Sequence, residues 1–416
     1  MEIIKEKLIS SFKYVKAFFK WIIIAVFTGV IGGLVGTAFH KSVDYVTNIR
    51  ISNGWLVFLL PFGGLLTVFL YNLTKVNEGT DRVIESVRTD KKVPALMAPL
   101  IFISTVITHL FGGSAGREGA ALQLGGSIAY KMGKIFKLNE KDMHFVVMLG
   151  MSSVFSALFG VPVTAAFFAL EVISVGIIYY AALVPCIISS LIAYKIALLF
   201  NITPISFKNI SFQPVSAISV LRVIVLALLC ALVSIIFCTA LKKFTYYFNK
   251  FVPNDYLKAL IGGLVIIGLT LLLHTTEYNG AGMDVISSAM SGTAKPEAFA
   301  LKILFTVITI GAGFKGGEIV PAFFAGATFG CVAGGLLGLD PSFGAAIGFV
   351  SLFCGVVNCP VASMILALEV FGSDSIILFA VACGVSYMMS GYYGLYSSQK
   401  IMYSKTEAKF ININAK

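Results

Sequence analysis

Two carboxylates stand out in a chain that is otherwise poor in charge. Glu118 lies in the turn Gly116-Arg117-Glu118-Gly119, and Glu318 in Gly316-Gly317-Glu318-Ile319-Val320-Pro321; each turn opens into an apolar stretch that reads as a helix. The same offset of 200 separates Gly116 from Gly316, Glu118 from Glu318 and Gly126 from Gly326. A helix start leaves several backbone N–H groups without partners and carries partial positive charge, so such a turn inside a membrane is a ready anion site. A carboxylate in the turn adds a second property. Ionised, it can occupy the amide site as a mimic of a transported anion; protonated, it must leave. Proton and anion occupancy are then coupled at one place. The pair predicts two helix starts facing each other across one anion.

Composition says where these turns sit. With 58% hydrophobic and 12% charged residues over 416 positions, the chain is too apolar for a soluble globular protein and reads as a polytopic membrane protein. Trp21 to Phe39, Trp55 to Leu73, Leu221 to Leu241 and Leu257 to Leu273 are long enough to cross a hydrocarbon core of roughly 30 Å. Ala95 to Leu110, Leu122 to Ala129 and Pro321 to Phe329 read as shorter, broken pieces, tolerated at membrane depth only inside protein or along a cavity. The net charge of +11 does not point to nucleic acid, because the basic residues lie in short flanks between apolar runs. Lys5, Lys7, Lys13, Lys16 and Lys20 precede the first span, and Lys400, Lys405 and Lys409 follow the last. That asymmetry predicts a multi-pass protein of the cell membrane with both termini cytoplasmic and an even number of crossings. The seven cysteines sit singly in apolar runs, and the four histidines show no paired spacing, so neither a disulfide framework nor a metal site is expected.

The chain divides into residues 1–20, a basic amphipathic helix on the cytoplasmic face; 21–200, a first membrane repeat; 201–214, a polar linker; 215–398, a second repeat; and 399–416, a short cytoplasmic tail. The repeats correspond piece by piece. Thr37-Ala38-Phe39-His40-Lys41 matches Thr239-Ala240-Leu241-Lys242-Lys243, and Gly63-Gly64-Leu65 matches Gly262-Gly263-Leu264. Pro162 followed by Glu171 matches Pro360 followed by Glu369 at a common offset of 198. Ordered matches with drifting offsets indicate a duplication. An odd number of crossings per half makes the repeats inverted, which puts a transport site near the midplane where broken helices meet. The symmetric positions of Glu171 and Glu369 favour a scaffold role at helix ends.

These residues carry a resemblance. Gly116 to Gly119, Gly316 to Pro321 and Gly394-Leu395-Tyr396-Ser397 together resemble the motifs of the CLC family of chloride channels and anion/proton exchangers, over roughly residues 20 to 400. The resemblance implies an all-α polytopic fold of two inverted repeats, about eighteen mostly tilted helices per subunit, and a homodimer in the lipid bilayer with a separate pore in each subunit. It implies that Glu118 is the gating and proton-coupling acid. The anion would be held by backbone at Gly116, Arg117, Gly119, Gly317, Glu318, Ile319 and Val320 with the Tyr396 hydroxyl, and no cofactor is needed. Arg117 itself reads as a structural partner or an entrance charge. Because the sequence stops soon after its last span, it would lack the cytoplasmic regulatory domains of larger members.

Departures refine the resemblance. The family's first anion-binding turn should fall between Asn77 and Val83, where no matching serine stands and Gly79 or Thr80 takes its place. Val172 stands where chloride exchangers carry an internal proton-transfer glutamate, and Glu318 where chloride-selective members usually have an apolar residue. A carboxylate in the second turn with an unusual first turn is similar to the fluoride/proton exchanging branch. Fluoride is small and strongly hydrated, and a neutral Glu318 could share a hydrogen with it; the bland alternative is that Glu318 pairs with Lys315 or Lys302. Within the family, a chloride/proton exchanger and a passive chloride channel are the alternatives. A distant one is an intramembrane serine protease, because Gly112 to Gly116 fits G-x-S-x-G with Ser114 as nucleophile and His144 or His274 as base. Ser114→Ala separates the two: proteolysis lost with anion flux intact would mark the enzyme, whereas the transporter reading expects no proteolysis from either protein.

Overall fold

The computed structural model describes residues 2–76, 78–207 and 210–416, with side chains from Phe12 onward. Asn77, at the edge of the expected first turn, lies outside the described residues, as do the side chains of Lys5 and Lys7. The first half contains α1 (Glu2–Ser52), α2 (Leu60–Thr74), α3 (Thr80–Ser86), α4 (Met97–Leu110), α5 (Glu118–Ile135), α6 (Glu140–Phe159), α7 (Pro162–Glu171), strand β1 (Ser174–Val175) and α8 (Leu183–Leu199). The second half repeats the order as α9 (Ala217–Phe251), α10 (Asp255–Leu273), α11 (Met283–Met290), α12 (Ala298–Gly311), α13 (Ile319–Leu336), α14 (Pro341–Val357), α15 (Pro360–Phe371) and α16 (Ile376–Met389). Two inverted repeats of broken and full-length helices are thus laid out element against element. Among the described residues, seven helical segments are long and apolar enough to cross a bilayer.

Three expectations are corrected. The basic N-terminal stretch is not a separate surface helix: α1 runs unbroken from Glu2 through the first span, because no proline interrupts it and its first glycine is Gly29. Leu122 to Ala129 and Pro321 to Phe329 are not broken pieces but the middles of 18-residue helices, α5 and α13. Their glycines are packing surfaces. A Cβ on Gly125 would strike the carbonyl of Gly150 in α6, and one on Gly326 that of Gly348 in α14, so the paired helices cross backbone to backbone. Pro321 sits in the first turn of α13, where its missing N–H costs no helical bond.

Residues 399–416 also do more than trail. β2 (Lys400–Tyr403) pairs antiparallel with β3 (Phe410–Asn414), and β2 pairs parallel with β1, giving the order β1-β2-β3. The alternation in Phe410-Ile411-Asn412-Ile413-Asn414 is the signal for it. Fully buried Gln399 donates to the carbonyls of Val172 (3.1 Å) and Val357 (2.8 Å), which ties the hairpin to the ends of α7 and α14. Lys405 reaches the carbonyl of Tyr387 (2.9 Å) and the hydroxyl of Ser390 (3.1 Å), and burial pushes its ammonium down to about 8.

Reciprocal contacts join the two repeats. Glu369 accepts from the amides of Val163 (2.9 Å) and Thr164 (2.8 Å) at the start of α7, and Glu171 accepts from Val361 (3.2 Å) and Ala362 (2.9 Å) at the start of α15. Each carboxylate caps the equivalent helix of the other repeat, as a local two-fold requires. Neither α7 nor α15 has a side-chain cap from its own N-cap residue. Glu171→Ala or Glu369→Ala leaves two donors unmatched, one of them on a buried residue, a loss of about 1–3 kcal/mol. Each variant is expected to inactivate at a lower temperature than wild type after purification in detergent, while Glu407→Ala on the exposed tail matches wild type. Unchanged midpoints for both cap variants would contradict the scaffold role.

Candidate functional site

The two glycine-carboxylate turns meet. Gly116 N–H donates to Gly317 O and Gly317 N–H to Gly116 O, both at 2.7 Å, forming an isolated antiparallel bridge between the repeats. Only glycine permits it: a Cβ on Gly317 would lie 2.9 Å from the Glu118 nitrogen, and one on Gly119 would lie 3.0 Å from Gly317 Cα. The bridge sets the starts of α5 and α13 side by side. Both starts lack a side-chain cap from their N-cap residues, Arg117 and Glu318. Four helices are capped by their own N-cap side chains, α6 by Asn139, α9 by Ser216, α10 by Asn254 and α14 by Asp340, whereas α2, α3, α4, α8, α11, α12 and α16 share the lack of one with α5 and α13. Uncapped, buried amides at two facing helix starts are what an anion needs.

Glu118 fills that position. Its side chain is 2% exposed, and Oε2 accepts from the Arg117 amide at 2.9 Å. The amide of Val320 in the first turn of α13 also faces the carboxylate. A first-repeat side chain is therefore seated against a second-repeat helix start. Arg117 contributes its amide, while its guanidinium goes elsewhere: Nη1 binds Asp44 Oδ1 at 2.6 Å, and Nε stays 3.7 Å from Glu118 Oε1. Asp44 also takes His40 Nε2 at 2.8 Å. The sequence reading missed Asp44; its i,i+4 spacing from His40 was a signal for that pair, but nothing local foretold Arg117.

Glu318 is unpaired. No cation lies within ion-pair distance of it among the described residues, and its buried Oε2 has no hydrogen-bond partner. Lys315 stands 4.4 Å from the centre of the Tyr71 ring, and Lys302 donates to the carbonyls of Tyr278 and Gly280. The side chain turns toward Gly119, where an added Cβ would lie 2.8 Å from Oε2. The lysine-pairing alternative is thus absent from this structure. Ile319 and Val320 form the buried first turn behind it.

Tyr396 lies within electrostatic reach of Glu318 and Glu118. It is 3% exposed and its hydroxyl, like Glu318 Oε2, is buried without a partner. Its loop is held by Leu395 N–H to Val356 O (2.8 Å) and by Ser398 N–H to Asp81 Oδ1 (2.7 Å). That second bond anchors the loop to α3, which begins at the expected Thr80 with Gly79 as its N-cap. Thr80 takes a hydrogen bond from Gln123 Nε2 at 2.9 Å and lies 3.4 Å from Gly119 O, so α3 borders the turn through a hydroxyl already committed to Gln123. Gly79 faces open space. The neighbouring Tyr392 instead meets Ser404 in the hairpin. Val172, where an internal acid was sought, is fully buried, and its carbonyl is taken by Gln399.

Outside Glu118 lies a cavity of about 370 Å³, lined among others by Asp44, Arg50, His109, Arg117, Glu118 and Val320. It opens past exposed Asp44 and Asn48, so Glu118 stands at its floor. Ser114 is not exposed to it: its buried hydroxyl meets Thr306 at 3.1 Å, across the repeat interface.

Comparisons with known proteins agree with this geometry. A family model described as voltage gated chloride channel matches residues 63–391. A chloride/fluoride channel protein of Pseudomonas syringae pv. tomato is 33% identical over 395 residues, covering 93% of this chain and 87% of the relative. The crystal structure of a CLC-type fluoride/proton antiporter superposes with a TM-score of 0.88 at 30% identity, over 92% of this chain and 98% of that one. A slow cyanobacterial Cl−/H+ antiporter shares the fold, with a TM-score of 0.75 at 19% identity over 89% and 94% of the two chains. A family match over most of the chain and a relative 33% identical over 93% of it show that the chain belongs to the voltage-gated chloride channel (CLC) family.

Proposed function

We propose that this protein is a proton-coupled halide antiporter that favours fluoride over chloride, with Glu118 as the acid that gates the anion site and carries the proton. The observation that carries the reading is the buried Glu118 carboxylate seated between two uncapped helix starts, with two orphaned polar groups, Glu318 Oε2 and Tyr396 OH, buried beside the same turns. Ionised, Glu118 substitutes for an anion at the amides. Protonated from the vestibule, it gives up the charge that holds it there, and a halide takes its place against the amides of Ile319 and Val320 with the Tyr396 hydroxyl as a further donor. Two ionised carboxylates would repel an anion between them, so Glu318 faces the bound halide as the neutral acid and donates to it. Fluoride, the strongest hydrogen-bond acceptor among the halides, gains most from such a donor. Glu318 thereby supplies the second carboxyl that Val172 does not. The relatives named above as fluoride-handling proteins support this branch.

The protein works in the cell membrane, with the lysine-rich N-terminus and the hairpin-bearing C-terminus on the cytoplasmic side and the Arg117 vestibule facing out. It acts as a homodimer whose subunits each carry one site. The competing reading is a passive channel, which retains Glu118 as a gate without moving protons.

In liposomes given a fluoride gradient, the wild-type protein is expected to drive protons uphill. Glu118→Gln, which cannot release a proton, is expected to lower that movement at least about tenfold, a barrier change of about 1.4 kcal/mol or more. Proton flux at the wild-type level in this variant would refute the assignment, and no uphill movement by wild type would favour the channel. Fluoride and chloride electrodes reading efflux from the same vesicles test selectivity. Fluoride release is expected to be the faster; chloride release as fast or faster would overturn the fluoride branch while leaving the family intact.

A further inference from the structure

Two buried cations beside the vestibule have no acid to answer them. Arg50, in the last turn of α1, is 9% exposed, and its Nη1 is buried without a hydrogen-bond partner. Lys302 in α12 is fully buried; Nζ donates to Tyr278 O (3.1 Å) and Gly280 O (2.6 Å) and stands over the Phe324 ring. Gly280 connects the two, taking Lys302 on its carbonyl while its Cα packs against the guanidinium; an added Cβ would lie 2.6 Å from Arg50 Nη1. Among the described residues neither cation has a carboxylate within 4.0 Å. The acids lining the cavity are largely claimed: Asp44 by Arg117 and His40, Glu277 by Lys295 at 2.7 Å, Glu118 by backbone amides, with Asp284 at the exposed rim.

His109 completes the constellation. Nδ1 lies 2.9 Å from the carbonyl of Thr105, which can only accept, so Nδ1 carries the hydrogen and Nε2 presents a lone pair. That Nε2 is buried without a partner, and His109 lines the same cavity within electrostatic reach of Arg50, Arg117 and Lys302. Complementing the C-terminal dipole of α1 would account for a charge at position 50. It does not account for a buried guanidinium nitrogen left empty, which costs free energy unless something fills it.

We infer that this vestibule holds a partly hydrated monovalent anion on Arg50 Nη1, a capture site that an incoming halide meets before Glu118. The anion accepts from Arg50, and a water retained on it gives its other hydrogen to His109 Nε2, so the unmatched donor and acceptor are filled together. The inference rests on the anion-transport reading, but its site lies outside the Glu118 turn.

Initial rates of fluoride uptake into liposomes, measured against fluoride concentration, test it. Arg50→Gln is expected to raise the half-saturating concentration about tenfold, the worth of one charge-assisted hydrogen bond, and Arg50→Lys to recover part of the loss. Wild-type half-saturation in Arg50→Gln would overturn the capture site and leave the antiport proposal standing. A second measurement does not need a folded variant or transport: wild-type crystals grown in bromide should give an anomalous peak within hydrogen-bond distance of Arg50 Nη1. Absence of a peak there would overturn the site. A peak in a protein that moves no halide would uphold the site and refute the antiporter.

Discussion

The proposed transport site hangs on two backbone hydrogen bonds, the reciprocal pair between Gly116 and Gly317. They clamp two helix starts together at a separation that no residue with a Cβ would allow. With the turns held this way, the amides of both helix starts are neither capped by their N-cap side chains nor open to bulk water. A buried amide seeks an acceptor, and the acceptor it finds is the carboxylate of Glu118. The rest of the fold serves the clamp. The glycine crossings of α5 with α6 and of α13 with α14 bring backbone against backbone, and the trans caps from Glu171 and Glu369 stitch the repeats together at a second place.

The acid's position also suits it to the switching role proposed for it. A carboxylate stripped of water is held by hydrogen bonds to amides, and one proton removes the charge on which those bonds depend. Glu118 has no direct ion pair closer than the 3.7 Å approach of Arg117, whose guanidinium is occupied by Asp44. The restraint on the acid is thus largely backbone in origin and is available in equal measure to a competing anion. Among the described residues Glu318 and Tyr396 each keep a buried polar atom unmatched, which under the proposed function the bound halide satisfies.

Much of this was legible in the sequence because it is written twice. The 200-residue offset between Glu118 and Glu318 predicted equivalent turns facing each other, though not that Gly116 and Gly317 would bond backbone to backbone. The nine-residue interval from Pro162 to Glu171 and from Pro360 to Glu369 marked helix ends, though not that each acid would cap the other repeat's helix. Other features were hidden for identifiable reasons. Gly125-Gly126 and Pro321 look like helix breakers locally, and only a partner backbone at Gly150, or a place in the first turn, makes them helical. Arg117 reads as a bare charge until Asp44, 73 positions earlier, is folded against it. The C-terminal alternation was short enough to pass as a tail, and its partner strand β1 has only two residues.

The central claim is that an anion and the Glu118 carboxylate compete for one set of amides, and proton uptake on binding tests it most directly. Fluoride is added to the purified protein in weakly buffered detergent solution, and the pH change is recorded alongside binding. The account predicts that wild-type protein takes up protons as fluoride binds, because the displaced acid leaves the amides in its neutral form, and that Glu118→Gln binds fluoride without that uptake. Fluoride binding to wild type with no proton taken up, or the same uptake in Glu118→Gln, would contradict it.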